Sequence, residues 1–356
     1  MKKKFLASAI LAIALGASWM VREAQACTTF CLHKGPRALF GKNYDWSVPD
    51  GLLVVNKRGV EKTAPLPPSE RPAQWVSKHG SVTFNQYGRE FPSGGMNEAG
   101  LAIEIMWLDE TRWPDPDGRP SLGSLEWIQY QLDSFSTVGE VVEHLGDLRV
   151  TSEAKVHYLA CDKSGACVTV EFLDGKPVHH KGARALANHT YADSLGFLER
   201  SRGKAEALEG RGSLQRFARA AVTAESYAAK GGKDPVRLAF ETLDDVAQGD
   251  YTKWSIVYDL PARRIHWRTL GNRSVRYVEL AAFDFSCASP VKVLDIDAGQ
   301  GNVAARFTNY TPEANQSLVE RSIRKTEFLA GMPPEAIAEA VRQPERTSCA
   351  VGGAKR

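Results

Sequence analysis

The chain lacks a charge excess, a late hydrophobic run and any complete metal or phosphate motif, and each absence narrows its function. Its formal net charge of +3 comes from Lys2, Lys3, Lys4 and Arg22 against Glu23, so residues 27–356 are formally neutral. A neutral body offers no electrostatic reason to bind nucleic acid or an anionic membrane surface. After residue 26 no apolar run approaches the length of a membrane span. The 8 histidines are scattered, with neither a zinc-type pair nor a Ser-His-Asp pattern. Asp295-Ile-Asp297-Ala-Gly299 hints at a calcium loop but lacks the closing glutamate. Gly299-Gln-Gly301 opens no strand-to-helix phosphate motif. No metal or cofactor is expected. There is also no internal repeat, low-complexity block or clear linker.

The most informative residues lie near the start. Lys2, Lys3 and Lys4 precede an apolar run over residues 5–20, and Ala24-Gln25-Ala26 forms a small-residue cleavage site. Residues 1–26 therefore read as a secretory signal peptide, which places the protein in the periplasm or outside the cell. Cleavage after Ala26 makes Cys27 the first residue, with a thiol and an α-amine on one amino acid. That amine, with an ordinary pKa of about 7.7–8, is suited to act as general base for its own thiol. Two other readings compete. The apolar run is short for a membrane anchor. A lipidated Cys27 would have a blocked amine, but Ala24 stands where lipoproteins carry a leucine-like residue.

All 6 cysteines lie beyond the cleavage site, so disulfides can form. Cys161-Asp-Lys-Ser-Gly-Ala-Cys167 is a turn between strand-like segments and suits a cross-hairpin bridge. Metal binding there is the weaker alternative, since no second pair completes a zinc pattern. Cys287 and Cys349 could pair, which sequence alone does not establish.

Periodicity gives strands over residues 28–32 and 38–46, joined by a turn at 33–36. This hairpin returns Lys42 and Asp45 toward Cys27. Residues 47–75, with several prolines, read as a long excursion. Strands follow at 81–84 and 101–107, connected through Gly94-Gly95-Met96-Asn97-Glu98-Ala99-Gly100. Residues 113–118 form a tight loop, and 124–145 are helical, with Leu125, Ile128, Leu132, Val138 and Val142 facing inward. Further strands are expected at 157–161, 167–173 and 183–187. Ser213 caps a helix to about Ala229, and a second helix spans 236–243. Strands at 255–259, 264–269 and 275–280 precede helices at 313–328 and 334–341. The result is one α+β domain over residues 27–342, a layered sandwich, with a polar tail over 343–356.

Cys27-Thr28-Thr29-Phe30, followed by Gly41-Lys-Asn-Tyr-Asp-Trp46, resembles the choloylglycine hydrolase family of N-terminal-nucleophile hydrolases, which contains bile salt hydrolases and penicillin V acylases. The likeness runs to about Phe328 through the 94–101 segment, Leu186-Ala-Asn188, Gln215-Arg-Phe-Ala-Arg219 and Tyr251-Thr-Lys-Trp254. It implies a four-layer αββα sandwich with the nucleophile at the start of a central strand. It also implies roles. Cys27 would be the nucleophile and Asp45 would hydrogen-bond its amine or thiol. Asn188 and the backbone N–H of Trp107 would donate to the oxyanion. Arg216 would favour thiolate, with Arg219, at i+3, as the alternative match. Lys42 stands where the family usually has arginine. It keeps the charge without the planar fork, and either acts on Cys27 or snorkels into solvent. Trp46, Trp107 and Trp113 are candidates for the substrate pocket. The short interval between Asn188 and Arg216 lacks room for the hairpin that locks many bile salt hydrolase tetramers, so a homo-oligomer is left open.

Together these readings describe an exported, cofactor-free cysteine amidase acting on a small-molecule N-acyl amide. Penicillin V-like amides and N-acyl homoserine lactones fit an exported enzyme of this type better than conjugated bile salts. A lipid-anchored or secreted ligand-binding protein with blocked Cys27 is the alternative of another class. An acyltransferase using the same nucleophile is the milder one.

Overall fold

A computed structural model describes residues 27–350; the expected signal peptide lies outside the described residues. Strands β1 (Thr28–Lys34) and β2 (Arg37–Asp45) form a hairpin, followed by β3 (Leu52–Asn56), β4 (Ser81–Asn85), β5 (Pro92–Asn97) and β6 (Ala102–Trp107). Helices α1 (Ser124–Ser134) and α2 (Val138–Glu143) lead to β7 (Val156–Cys161), β8 (Cys167–Leu173), β9 (Lys176–Lys181) and β10 (Ala185–Leu186). Next come α3 (Tyr191–Ser201), α4 (Ser213–Lys230) and α5 (Pro235–Asp245), then β11 (Thr252–Asp259), β12 (Arg264–Thr269), β13 (Arg276–Glu279) and β14 (Lys292–Asp295). Helices α6 (Pro312–Lys325) and α7 (Pro334–Arg342) close the chain.

One sheet runs β10-β1-β2-β11-β12-β13, and the other β9-β8-β7-β6-β5-β4-β3-β14, each extended by a two-residue edge strand. Helices α4 and α5 cover the first sheet, and α1 covers the second. The layers are therefore α, β, β, α, as the resemblance implies. Strand alternation creates two cores. In β6, Ala102 and Met106 face the core shared with the first sheet, while Ile103 and Ile105 face the core under α1. Phe40, Trp254 and Trp267 fill the former; Trp127, Ile128 and Leu132 fill the latter.

Several elements differ from expectation. Residues 47–75 are not one excursion, because Leu-Leu-Val-Val-Asn forms β3, inside the second sheet between β4 and β14. A short apolar run buried on both faces carries no alternation to announce it. Gly94 to Asn97 are likewise not a connection but part of β5. A Cβ on Gly94 would lie 2.3 Å from the Glu104 carboxylate, so glycine admits that carboxylate between strands. The helix expected over 124–145 divides at Phe135, where Thr137 and Glu140 form a capping box that starts α2. Ser213 is the first residue of α4, and Gly212 precedes it as the cap.

The polar stretch after α7 folds back onto the body. Gln343 Nε2 donates to Thr63 O at 2.6 Å, and Ser348–Cys349 pairs with Val60 and Glu61. Two disulfides form: Cys161–Cys167 bridges facing positions of β7 and β8, and Cys287–Cys349 fastens the C-terminal segment. No helix among the described residues is long and apolar enough to cross a membrane.

Candidate active site

The β1–β2 register pairs Thr28 with Asn43 and Thr29 with Lys42, so the head of β1 and the end of β2 lie side by side. Cys27 and Asp45 meet there, with Cys27 Sγ 3.9 Å from the Asp45 carbonyl oxygen. Cys27 is only 6 % exposed. Burial pushes its thiol pKa up, and the Lys42 ammonium opposes this by favouring thiolate. Asp45 is fully buried, and burial pushes its pKa up to about 6 against the pull of Arg216, Thr252 and Lys42. Thr252 Oγ1 donates to Asp45 Oδ1 at 2.5 Å, whereas Oδ2 has no hydrogen-bond partner among the described residues.

Of the two candidate arginines, Arg216 reaches the site. Its guanidinium donates to Cys27 O at 2.9 Å, to Thr28 Oγ1 and to Asn188 Oδ1 at 3.0 Å, and lies 4.0 Å from Asp45 Oδ2. Arg219 turns outward to Asp245 at 2.9 Å. Asn188 is set by several neighbours. Strand β10 pairs with β1, and the Asn188 N–H donates to Ser213 Oγ at 2.8 Å. His157, held by Glu171, approaches Ala187 O at 2.7 Å. The Asn188 amide thus spans from Arg216 to Trp107, donating to Trp107 O at 2.9 Å.

Lys42 does not snorkel. It is fully buried, donates to Ile105 O and lies 3.9 Å from Glu104 Oε2. Burial pushes Glu104 up to about 7 despite Lys42 and the Tyr258 hydroxyl. Lys42→Met should therefore raise the apparent pKa of Cys27 and slow its alkylation at fixed pH, with Glu104 taking up a proton once its cation is gone. Lys42→Arg should keep the thiolate and change which substrates react. Alkylation rate against pH checks this, and an unchanged profile in Lys42→Met would leave the electrostatic task to Arg216.

Cys27, Asp45, Trp46 and Trp107 line a mostly apolar cavity of about 360 Å³. Trp46 and Trp107 pack 6.3 Å apart and meet the half-exposed Phe328 ring at 6.3 and 6.1 Å. Trp113 is a correction. Its ring packs at a tilt against Phe172 at 4.8 Å and donates to Ala154 O at 3.0 Å, so it supports the wall from behind and is absent from the lining. Sequence reasoning missed Glu104, His157 and the wall from Ile323, Phe328, Leu329 and Met332. Thr252 sat inside the quoted Tyr251-Thr-Lys-Trp254 segment and could have been found there.

Residues 27–293 match the family described as linear amide C–N hydrolases, choloylglycine hydrolase family. A penicillin V acylase from Pectobacterium atrosepticum is 28% identical over 210 residues, covering 52% of this chain and 54% of that protein, so the match spans about half of the curated relative. The solved penicillin V acylase from Agrobacterium tumefaciens is 27% identical, with a TM-score of 0.72 over 80% of this chain and 98% of its own. A mutant conjugated bile acid hydrolase from Clostridium perfringens, at 15% identity, shares the fold with a TM-score of 0.66 over 78% of this chain and 98% of its own. With the family pattern matched across three quarters of its length, the chain belongs to the choloylglycine hydrolase family.

Proposed function

We propose that this protein is an exported cysteine amidohydrolase whose nucleophile is created by removal of residues 1–26. The Cys27 amine takes the thiol proton, and the thiolate adds to the carbonyl carbon of a linear amide. The tetrahedral oxyanion is held by Asn188 Nδ2 and the Trp107 backbone N–H. Its collapse breaks the C–N bond, the amine departs with the proton, and an acyl thioester remains on Cys27. Water, deprotonated by the same α-amine, then releases the acid.

The observation that carries this reading is the position of Cys27. Its buried thiol lines a ligand-sized cavity, with Asp45 beside it and the buried cations Lys42 and Arg216 nearby. Asp45 Oδ2, which accepts no hydrogen bond among the described residues, is a ready acceptor for the α-ammonium that processing would create. Two disulfides suit an oxidising, exported location. The aromatic cluster of Trp46, Trp107 and Phe328 favours apolar or aromatic acyl groups, such as those of penicillin V-like amides and N-acyl homoserine lactones.

The test is to incubate protein beginning at Cys27 with a phenoxyacetyl amide, quench it, and map acyl mass by peptide analysis. Equal release of acid and amine, with a transient acyl group on the Cys27 peptide, is expected. Acyl groups appearing only on added amines would make the protein an acyltransferase. Binding without turnover would favour the ligand-binding alternative.

A further inference from the structure

Helix α1 brings to the same cavity a carboxyl that the chemistry at Cys27 does not use. Glu126 is the third residue of the helix and only 6 % exposed, yet it lines the cavity. Beside it on the wall are Ser124 and Ser152, whose hydroxyl oxygens are 2.9 Å apart. Glu153 also borders the cavity but is open to solvent. Most of the remaining lining is aliphatic or aromatic.

Part of this placement has a helical explanation. A Cβ on Gly123 would lie 2.0 Å from Glu126 Oε2, so the carboxyl folds back over the residue that caps α1, as a glutamate does in a capping box. Burial pushes its pKa up to about 7, opposed by the N–H groups of Glu126 and Gly123. A cap, however, needs only one oxygen. Oε1 is buried with no hydrogen-bond partner among the described residues, so it is an acceptor that the helix cap leaves over and that a donor beside it would satisfy.

We propose that Glu126 is the specificity residue of the substrate cavity, accepting a hydrogen bond from a hydroxyl carried on the apolar body of the acyl group. This rests on the reading of Cys27 as an amidase nucleophile. A hydroxyl suits the site better than an ammonium. It can donate to Glu126 and accept from Ser124 or Ser152, satisfying both of its capacities. An ammonium brings three donors and a full charge into a largely apolar enclosure.

The test compares N-(4-hydroxyphenylacetyl)glycine with N-phenylacetylglycine in wild type, Glu126→Gln and Glu126→Leu, taking the ratio of kcat/KM values. Gln keeps an acceptor for the cap while exchanging the other oxygen for a donor. Wild type should prefer the hydroxylated substrate, and both variants should lose about tenfold of that preference. A second arm measures binding of 4-hydroxyphenylacetate and phenylacetate to Cys27→Ala, with and without Glu126→Gln, by calorimetry. It needs no turnover. If wild type cleaves neither amide but the Glu126-dependent binding difference persists, the amidase reading fails and the hydroxyl site stands. Equal binding of the two acids, or a preference unchanged in both Glu126 variants, overturns the proposal.

Discussion

Cys27→Ala should lower amide turnover by roughly 10⁴-fold or more, the scale on which losing a catalytic nucleophile is felt, while the fold and ligand binding persist. The substitution removes one sulfur that makes a long contact to the Asp45 carbonyl at 3.9 Å and interacts with the Lys42 ammonium. Its structural cost is therefore small beside its chemical one. Cys27→Ser should also be severely slowed, because a hydroxyl is far less acidic than a thiol and burial opposes its ionisation further. The protein contains its own control. Cys31 is the other free cysteine among the described residues, 1 % exposed and pushed up to about 12 by burial. Alkylation should modify Cys27 first, seen by peptide mass, and turnover should fall in step. Near-normal hydrolysis by Cys27→Ala would remove this site from consideration.

The residues that sequence could identify share one property: their chemistry is local. Cys27, Lys42 and Asp45 sit on a single hairpin, where the strand pairing and a two-residue connection at Gly35-Pro36 fix their relation. Arg216 and Asn188 came from resemblance, and the register of β10 on β1 with the packing of α4 on β1 brings them to Cys27. Residues that depend on crossing between layers were not legible. Glu104 looks like an ordinary polar strand position until Gly94 and Lys42 are seen around it. Phe328 lies in a short 3₁₀ turn beyond α6, and only the tertiary fold brings that turn against Trp46 and Trp107. Trp113 shows the opposite error. Aromatic character predicted a pocket role, but the loop carries the ring behind the wall, onto Phe172.

Retention of residues 1–26 should abolish activity even though every side chain of the site is present. An uncleaved leader turns the Cys27 amine into an amide, which has no basic lone pair at neutral pH. General-base assistance of this kind contributes about 10²–10⁴-fold, and the buried thiol, raised by its surroundings, has special need of it. The leader also leaves Asp45 Oδ2 without an ammonium to accept from. A protease site placed directly before Cys27 allows one preparation to be assayed before and after cleavage, with N-terminal mass tracking the free amine. Activity should appear in proportion to chains beginning at Cys27, while a single residue left ahead of it should suffice to silence the chain. The pH profile carries a further sign. With Asp45 pushed up to about 6, it is mostly anionic above that pH and favours the ammonium form of its neighbour. Asp45→Asn should therefore lower the amine pKa and move the acidic limb of the rate profile to lower pH, with a reduced plateau. Full activity from the uncleaved chain, or an acidic limb that does not move, would mean that the α-amine is not the base.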